Sequence, residues 1–308
     1  MVNCFSMVSP YHDPLGIALY PLAALINHSC NDNAVFRFDL PAQSMTISAL
    51  RPITSGEQIF VSYIDITYPY YMRQARLKER YFFTCRCTKC SSDLMNEQTI
   101  RHTSEADENF LVEKRAYELL NSARKDTSIT GPIQKLQYGI HILRKTCSWP
   151  LYQQPLASLR QELVVSLTAA GQLHLALIHA WIQYRLVDPQ LMPEKHHPIR
   201  LIHQWLVVSL LKRIDPPIGN DLPTQMHNIL ERSIDLQTII SYTLSNLSTI
   251  LKGESSESTF SRIVMSSYLQ SAEQHSSVSR AKFNKEAEKL SLCANEILDK
   301  ELVWGDAT

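Results

Sequence analysis

The chain has 308 residues, enough for one large or two ordinary domains. Hydrophobic residues make up 44% and charged residues 19%, a balance that supports a packed core. Thirty basic residues against thirty acidic ones give zero net charge, which excludes a general polyanion binder, because neutralising phosphates needs an excess of Lys and Arg. No stretch of about 20 apolar residues occurs, so no membrane span is expected, and the first residues do not read as a secretory leader.

In chain order, residues 1–92 carry strand signals. Ala34 to Leu40 is rich in Phe and Val and is closed by Pro41. Met45 to Ile53 alternates apolar and polar residues, Ser55-Gly56 is a turn, and Gln58 to Ile64 is a short apolar run. Tyr71 to Arg80 reads as a helix whose Arg73, Arg76, Lys78 and Arg80 form a solvated basic face. Residues 93–108 are polar and aperiodic and read as a linker.

From about Asn109 onward the pattern is helical. Leu, Ile and Ala recur every three or four residues in Phe110–Arg124, Ile133–Lys145, Leu156–Ala170, Leu173–Leu186, Ile199–Arg213, Ser233–Leu251 and about Ser277–Leu302. Leu167, Gly171, Ala176 and Pro189 resemble one tetratricopeptide hairpin, with Gly171 for the tight turn and Ala176 for close helix approach. The Ser-rich stretch Ser255–Ser279 reads as containing a mobile loop. His196-His197, followed by Pro198, reads as a loop entering a helix and not as a metal pair.

The chemistry is concentrated in the cysteines. Seven is an odd number, and four of them have metal-like spacing: Cys30, in Asn27-His28-Ser29-Cys30, and the triplet Cys85-x-Cys87-x-x-Cys90. The triplet needs a fourth ligand to close a tetrahedral zinc site, and Cys30 is available. Zinc thiolates in a reducing compartment fit better than a disulfide framework. Cys4, Cys147 and Cys293 read as small buried hydrophobes.

Three motifs in order carry a family resemblance: Asn27-His28-Ser29-Cys30, then Gly56-Glu57-Gln58-Ile59 with Tyr63-Ile64-Asp65, then Tyr81-x-Phe83-x-Cys85-x-Cys87-x-x-Cys90. The combination resembles the SET domain of the SET-and-MYND subfamily, and the helical C-terminal region matches that subfamily's architecture. The resemblance implies an α+β fold: a partial SET domain with a cysteine zinc site, then an all-α tetratricopeptide-like domain. The implied division is 1–83 for the C-terminal half of SET, 84–92 for the post-SET zinc segment, 93–108 for the linker and 109–308 for the helical domain.

The resemblance also implies a protein-lysine methyltransferase using S-adenosylmethionine, with structural zinc on Cys30, Cys85, Cys87 and Cys90. It implies a threaded core in which Asn27 and His28 hold the cofactor and Phe83 stacks on its adenine. Asn3 adds a further cofactor contact. Tyr63 stands beside the transferred methyl and contacts the cofactor, and Tyr81 lines the lysine channel. The expected partner is a substrate protein, histone or other, with no membrane and no direct nucleic-acid binding. A monomer in the nucleus or cytoplasm is expected.

Two departures bear on activity. The subfamily's Gly-x-Gly cofactor loop and its MYND zinc module are not in these residues, so the chain reads as a truncated product, an incomplete gene model or a degenerate paralogue, slow or inactive alone. The segment Asn31-Asp32-Asn33 has Asp where the family usually has Pro, a mild change because Asp also suits a turn. The alternative reading is a non-enzymatic, zinc-stabilised helical-repeat interaction module.

Overall fold

A computed structural model describes residues 4–8, 14–39, 43–100, 105–147, 149–214, 234–252, 258–274 and 278–303. The fold is α+β. Packing divides it into two units, Met1–Leu111 with Gln153–Pro155, and Val112–Tyr152 with Leu156–Thr308.

Among its described residues the first unit holds three two-stranded sheets. β1 (Cys4–Val8) pairs antiparallel with β2 (Pro14–Leu19), and the register slips between Met7 and Val8, opposite Gly16 at φ +139°. β4 (Ala34–Asp39) pairs antiparallel with β5 (Ser44–Ala49), running from Ala34↔Ala49 to Asp39↔Ser44. β3 (Asn27–His28) lies parallel to β6 (Phe60–Val61), and β6 also contacts β4. Composition did not announce β1, β2 or β3, because none is a sustained alternating run. Their pairing partners, not their own pattern, make them strands.

Helix α1 (Tyr70–Tyr81) follows Pro69, whose fixed φ suits a helix start. It stops at Phe82, which takes a left-handed conformation at φ +61° and donates its N–H back to the Lys78 carbonyl. Helix α2 (Thr88–Ile100) begins inside the cysteine triplet and runs through the first half of the segment read as a linker.

The second unit contains helices only among its described residues: α3 (Glu105–Lys125, which starts in the first unit), α4 (Gly131–Cys147), α5 (Leu156–Ala169), α6 (Leu173–Ile182), α7 (Asp188–Leu191), α8 (Pro198–Ile214), α9 (Leu236–Lys252), α10 (Thr259–Gln274) and α11 (Arg280–Val303). Neighbours in sequence pack on one another from α4 to α6 and from α8 to α10. Helix α6 also packs on α8, and α11 lies against α4, α6 and α9. Gly171, at φ +74°, makes the turn between α5 and α6, and Ala176 is fully buried beside it. Gly139 of α4 permits another close approach, since a Cβ there would sit 3.0 Å from the Leu159 side chain.

Two expectations are corrected. α10, not expected from the sequence, occupies most of the Ser-rich stretch read as containing a loop, because Phe260, Val264 and Tyr268 recur at helical spacing and meet the core. The helix expected through Leu186 changes at Gln183–Val187 to one wide π-type turn before α7. No helix among the described residues is long and apolar enough to cross a membrane.

Candidate metal centre and adjoining cavity

The parallel β3–β6 pairing builds the site. Ser29 donates its N–H to the Val61 carbonyl at 3.1 Å, and Asn33 donates its N–H to the Phe60 carbonyl at 3.2 Å, so the chain around Cys30 is zipped to β6. The fully buried Asn33 side chain completes the latch. Its Nδ2 donates to Glu57 Oε1 at 3.0 Å and to the Gln58 carbonyl at 2.9 Å, and its Oδ1 accepts from Phe60 N–H at 2.8 Å. These bonds, with those from Thr54 and Arg51, hold the Glu57 carboxylate down to about 2. A turn reading of Asn31-Asp32-Asn33 did not reveal this role.

The left-handed Phe82 turns the chain after α1 so that residues 83–90 come back beside Cys30. There the sulfurs of Cys30, Cys85, Cys87 and Cys90 lie within 4.8 Å of one another. Three of the four cysteines are buried and Cys87 is half-buried. A tetrahedral four-thiolate zinc centre, with bonds of about 2.3 Å, sets its sulfurs roughly 3.8 Å apart, so the donors fit such an ion. The Asn31 side chain donates to Thr88 Oγ1 at 3.1 Å, tying the Cys30 loop to the start of α2.

The electrostatics favour a cation. Burial, then the neighbouring Cys90 and Cys85, pushes the Cys30 thiol well above its ordinary range. Burial also raises Cys90 to about 11, with Cys85 and Cys87 adding to it. Burial raises Cys87 too, but hydrogen bonds from the Cys90 backbone, Cys85, Cys90 and Ser29 outweigh it and bring Cys87 down to about 7. Four sulfurs this close cannot all be anionic without a positive charge among them, so metal uptake displaces protons.

His28 joins the centre to an aromatic cluster. The Tyr63 N–H donates to His28 Nδ1 at 3.0 Å, which leaves the proton on Nε2, and Nε2 faces Cys30 Sγ at 3.3 Å. Burial, then the Arg73 charge, lowers His28 to about 4, so it stays neutral. Its ring packs on Tyr63 at 5.3 Å and on Phe83 at 5.8 Å between centroids, and Tyr63 packs on Tyr81 at 4.9 Å. The Tyr63 hydroxyl donates to the Ile26 carbonyl at 2.5 Å, and the Tyr81 hydroxyl to the Tyr63 carbonyl at 3.4 Å.

A cavity of about 470 Å³ opens beside the cluster, lined by His28, Ser29, Asn31, Arg51, Glu57, Phe60, Phe83 and the loop 84–88. The structure therefore brings His28, Tyr63, Tyr81, Phe83 and the four cysteines together, but only His28, Phe83, Cys85 and Cys87 of these face the cavity. Asn27 pairs through its backbone with Phe60 and is exposed. Asn3 lies outside the described residues, as do Pro41 and the side chains of Cys4 and Cys147. Cys293 is buried, as expected of a small hydrophobe, and His197 Nδ1 accepts the Ile199 N–H at the start of α8.

The basic face of α1 is a correction. Lys78 and Arg80 are exposed and Arg76 stacks over the Tyr68 ring at 4.0 Å, but Arg73 is only 1% exposed. Tyr70, Arg73, Leu77 and Tyr81 share one helical face, the signal that identifies Arg73 as an inward residue.

Comparison with known proteins agrees with this geometry. The SET domain family model matches residues 6–64. Over these residues the chain is similar to the SET domain. It is 37% identical over 98 residues to the SET domain and MYND-type zinc finger protein 6 of Schizosaccharomyces pombe, covering 32% of this chain and 20% of that protein. It is 39% identical over 93 residues to N-lysine methyltransferase SMYD2 of Homo sapiens, covering 30% and 21% respectively. With N-lysine methyltransferase SMYD2-B of Danio rerio the figures are 31% over 122 residues, 40% and 27%. The aligned stretch thus spans about a fifth to a quarter of these relatives' length.

Proposed function

We propose that the chain is part of an S-adenosylmethionine-dependent protein-lysine N-methyltransferase. The observation that carries this reading is the β3–β6 pairing, which sets His28 and Tyr63 against Phe83 beside a cavity of nucleoside size. Relatives named N-lysine methyltransferases support it.

In this reading His28 and Asn27 bind the cofactor, Phe83 stacks on its adenine, and Asn3 adds a contact. When bound, the cofactor supplies a methyl group activated on a sulfonium for in-line displacement by an amine. The chain's own residues position and desolvate. Tyr63 and Tyr81 give the lysine an aromatic channel, which lowers its ammonium pKa by excluding water and so favours the neutral, attacking amine. The Tyr63 hydroxyl, fixed on the Ile26 carbonyl, presents oxygen to the polarised methyl as a weak C–H acceptor. Catalysis of this kind rests on orientation and preorganised dipoles and not on a covalent intermediate.

Zinc on Cys30, Cys85, Cys87 and Cys90 is structural, since four thiolates leave no open position. The division 1–83, 84–92 and 109–308 corresponds to SET portion, post-SET segment and tetratricopeptide-like helical domain. The helical domain serves protein contacts, and the substrate is a histone or other protein in the nucleus or cytoplasm, met by a monomer.

The test is a calorimetric titration of S-adenosylmethionine into the zinc-loaded chain, with transfer of labelled methyl to histone and non-histone proteins. Weak binding that Phe83→Ala abolishes is expected of this chain, with transfer slow or undetectable until a segment carrying the Gly-x-Gly loop is joined to it, and Tyr63→Phe should then lower transfer about tenfold or more. No binding at saturating cofactor would leave the interaction module as the function.

A further inference from the structure

Two adjacent residues of α1 reach one sulfur of the cysteine centre. Gln74 Nε2 stands 3.3 Å and Arg73 Nη2 3.8 Å from Cys90 Sγ. Gln74 does more: its Nε2 also donates to the Cys85 carbonyl at 3.0 Å, and its Oε1 accepts the Cys85 N–H at 3.0 Å. One side chain thus grips both polar atoms of the Cys85 backbone and a second cysteine's sulfur.

Arg73 is the more unusual of the two. A guanidinium at 1% exposure is costly unless opposite charge surrounds it. Its Nη1 donates to the Tyr68 carbonyl, its Nη2 pairs with Asp93 Oδ2 at 2.7 Å, and Nε has no partner among the described residues. Asp93 is already shared with Lys89 Nζ at 3.2 Å. Asp93 alone therefore does not explain the burial of Arg73. A divalent ion on four thiolates leaves two negative charges in a largely buried site, and Arg73 is the cation packed directly against it.

We infer that Arg73 and Gln74 are positioning residues that set how tightly the four-cysteine centre holds a thiophilic divalent cation. Arg73 acts by offsetting thiolate charge, and Gln74 by fixing the Cys85 backbone and donating to Cys90. N–H groups aimed at coordinated thiolates reduce electron density on sulfur and orient the ligand, and partners of this kind are worth about 10–100-fold in metal affinity. The inference rests on the metal reading given above.

The experiment loads the full chain with zinc and follows its release to a chromogenic chelator, then repeats the measurement with cobalt(II), whose sulfur-to-metal charge-transfer band reports thiolate electron density. Arg73→Met is expected to release zinc about tenfold faster or more and to shift the cobalt band to lower energy. Arg73→Lys, which keeps the charge without the fork, should fall between wild type and Arg73→Met. Gln74→Leu should also accelerate release. Wild-type release rates and an unmoved band in folded Arg73→Lys and Gln74→Leu would overturn the inference, whether or not Arg73→Met folds. A wild-type chain that takes up no equivalent of zinc would instead overturn the metal reading on which it rests.

Discussion

The two units are held together by different means. In the helical unit, one continuous core of aliphatic and aromatic side chains runs from Ala116 to Leu298, with Leu163, Leu167, Leu177 and Leu211 at or near zero exposure. Each such side chain contributes about 1.5–3 kcal/mol. In the SET unit the equivalent cluster is Cys30, Leu77, Cys85 and Cys90. Three of those four are thiols, and the rest of the unit is tied by side-chain latches such as Asn33 and Gln74. The helical unit rests on a large apolar core, whereas the small core of the SET unit is built around four thiols placed to hold an ion, and the loop that carries three of them also walls the cavity.

The largest expected effect breaks the two units apart. Stripping zinc with a strong chelator, or Cys30→Ala, should abolish the SET unit's cooperative melting and near-ultraviolet signal and leave the helical signal almost intact. Metal binding to such centres is itself folding free energy, about 10–16 kcal/mol in small zinc domains. Helical melting that shifts as much as the SET signal would show that the units share one stability.

A second variant attacks the helical unit from within. Fully buried Arg160 forms a two-pronged pair with Glu301, at 2.7 and 2.9 Å, and also donates to His179 Nδ1 at 3.0 Å. Arg144 approaches the same carboxylate at 3.7 Å, and His141 binds the Glu301 carbonyl. Helices α4 and α5 thus meet α11 at one carboxylate, and α6 joins them through Arg160. Glu301→Gln leaves Arg160 buried without its counter-charge and should cost about 3–5 kcal/mol, read as a lower urea midpoint of the helical transition. Zinc content should not change.

How far these two units were legible in the sequence follows from the same contrast. The helices were legible because packing on a continuous core imposes a 3.6-residue period, and Gly171 and Ala176 marked a hairpin. Ser-rich α10 was missed because its polar face dominates its composition, although Phe260 and Val264 carry the period. The four cysteines and His28 were legible because metal ligation restricts residue type and spacing. Asn33, Arg73 and Gln74 were not. Their roles are set by partners 11 to 27 positions away across folded loops, and an Asn, Gln or Arg in isolation reads equally well as surface. β3, two residues long, exists only through its parallel partner.

Asn33 offers a smaller test inside the SET unit. Asn33→Ala removes three side-chain hydrogen bonds to residues 57–60 and leaves the Phe60 N–H without its acceptor. An unsatisfied buried group costs about 1–3 kcal/mol. The SET transition should fall accordingly in the zinc-loaded chain. Glu57, freed of its largest stabilising hydrogen bond, should titrate higher than about 2 by carboxylate NMR. An unchanged SET transition would show that the β3–β6 pairing does not depend on this latch.

The smallest effect is a pH dependence confined to the helical unit. Burial, then the Arg160 charge, holds His179 well below its ordinary value of 6.5, and burial lowers His174 from the same value. The groups facing His179 are Arg160 from α5 and, through it, Glu301 from α11, with Arg144 and His141 from α4 at the same carboxylate. In the unfolded chain these histidines take protons near pH 6.5, whereas the folded unit refuses them. Below that pH the unfolded state binds more protons, so stability is full above about 6.5 and falls as the solution is acidified, by at most about 1.4 kcal/mol per pH unit for each group. The depressed carboxylates Asp235 and Glu286, whose ordinary values are 3.8 and 4.5, add to the loss only at lower pH. Urea midpoints of the helical transition at pH 7.5 and 5.5 should therefore differ in the wild type. The difference should shrink in His179→Asn, whose amide oxygen can still accept from Arg160 but cannot take the proton. A wild-type midpoint that rises on acidification would show that His179 gains a proton on folding and that Glu301, not Arg160, governs its charge.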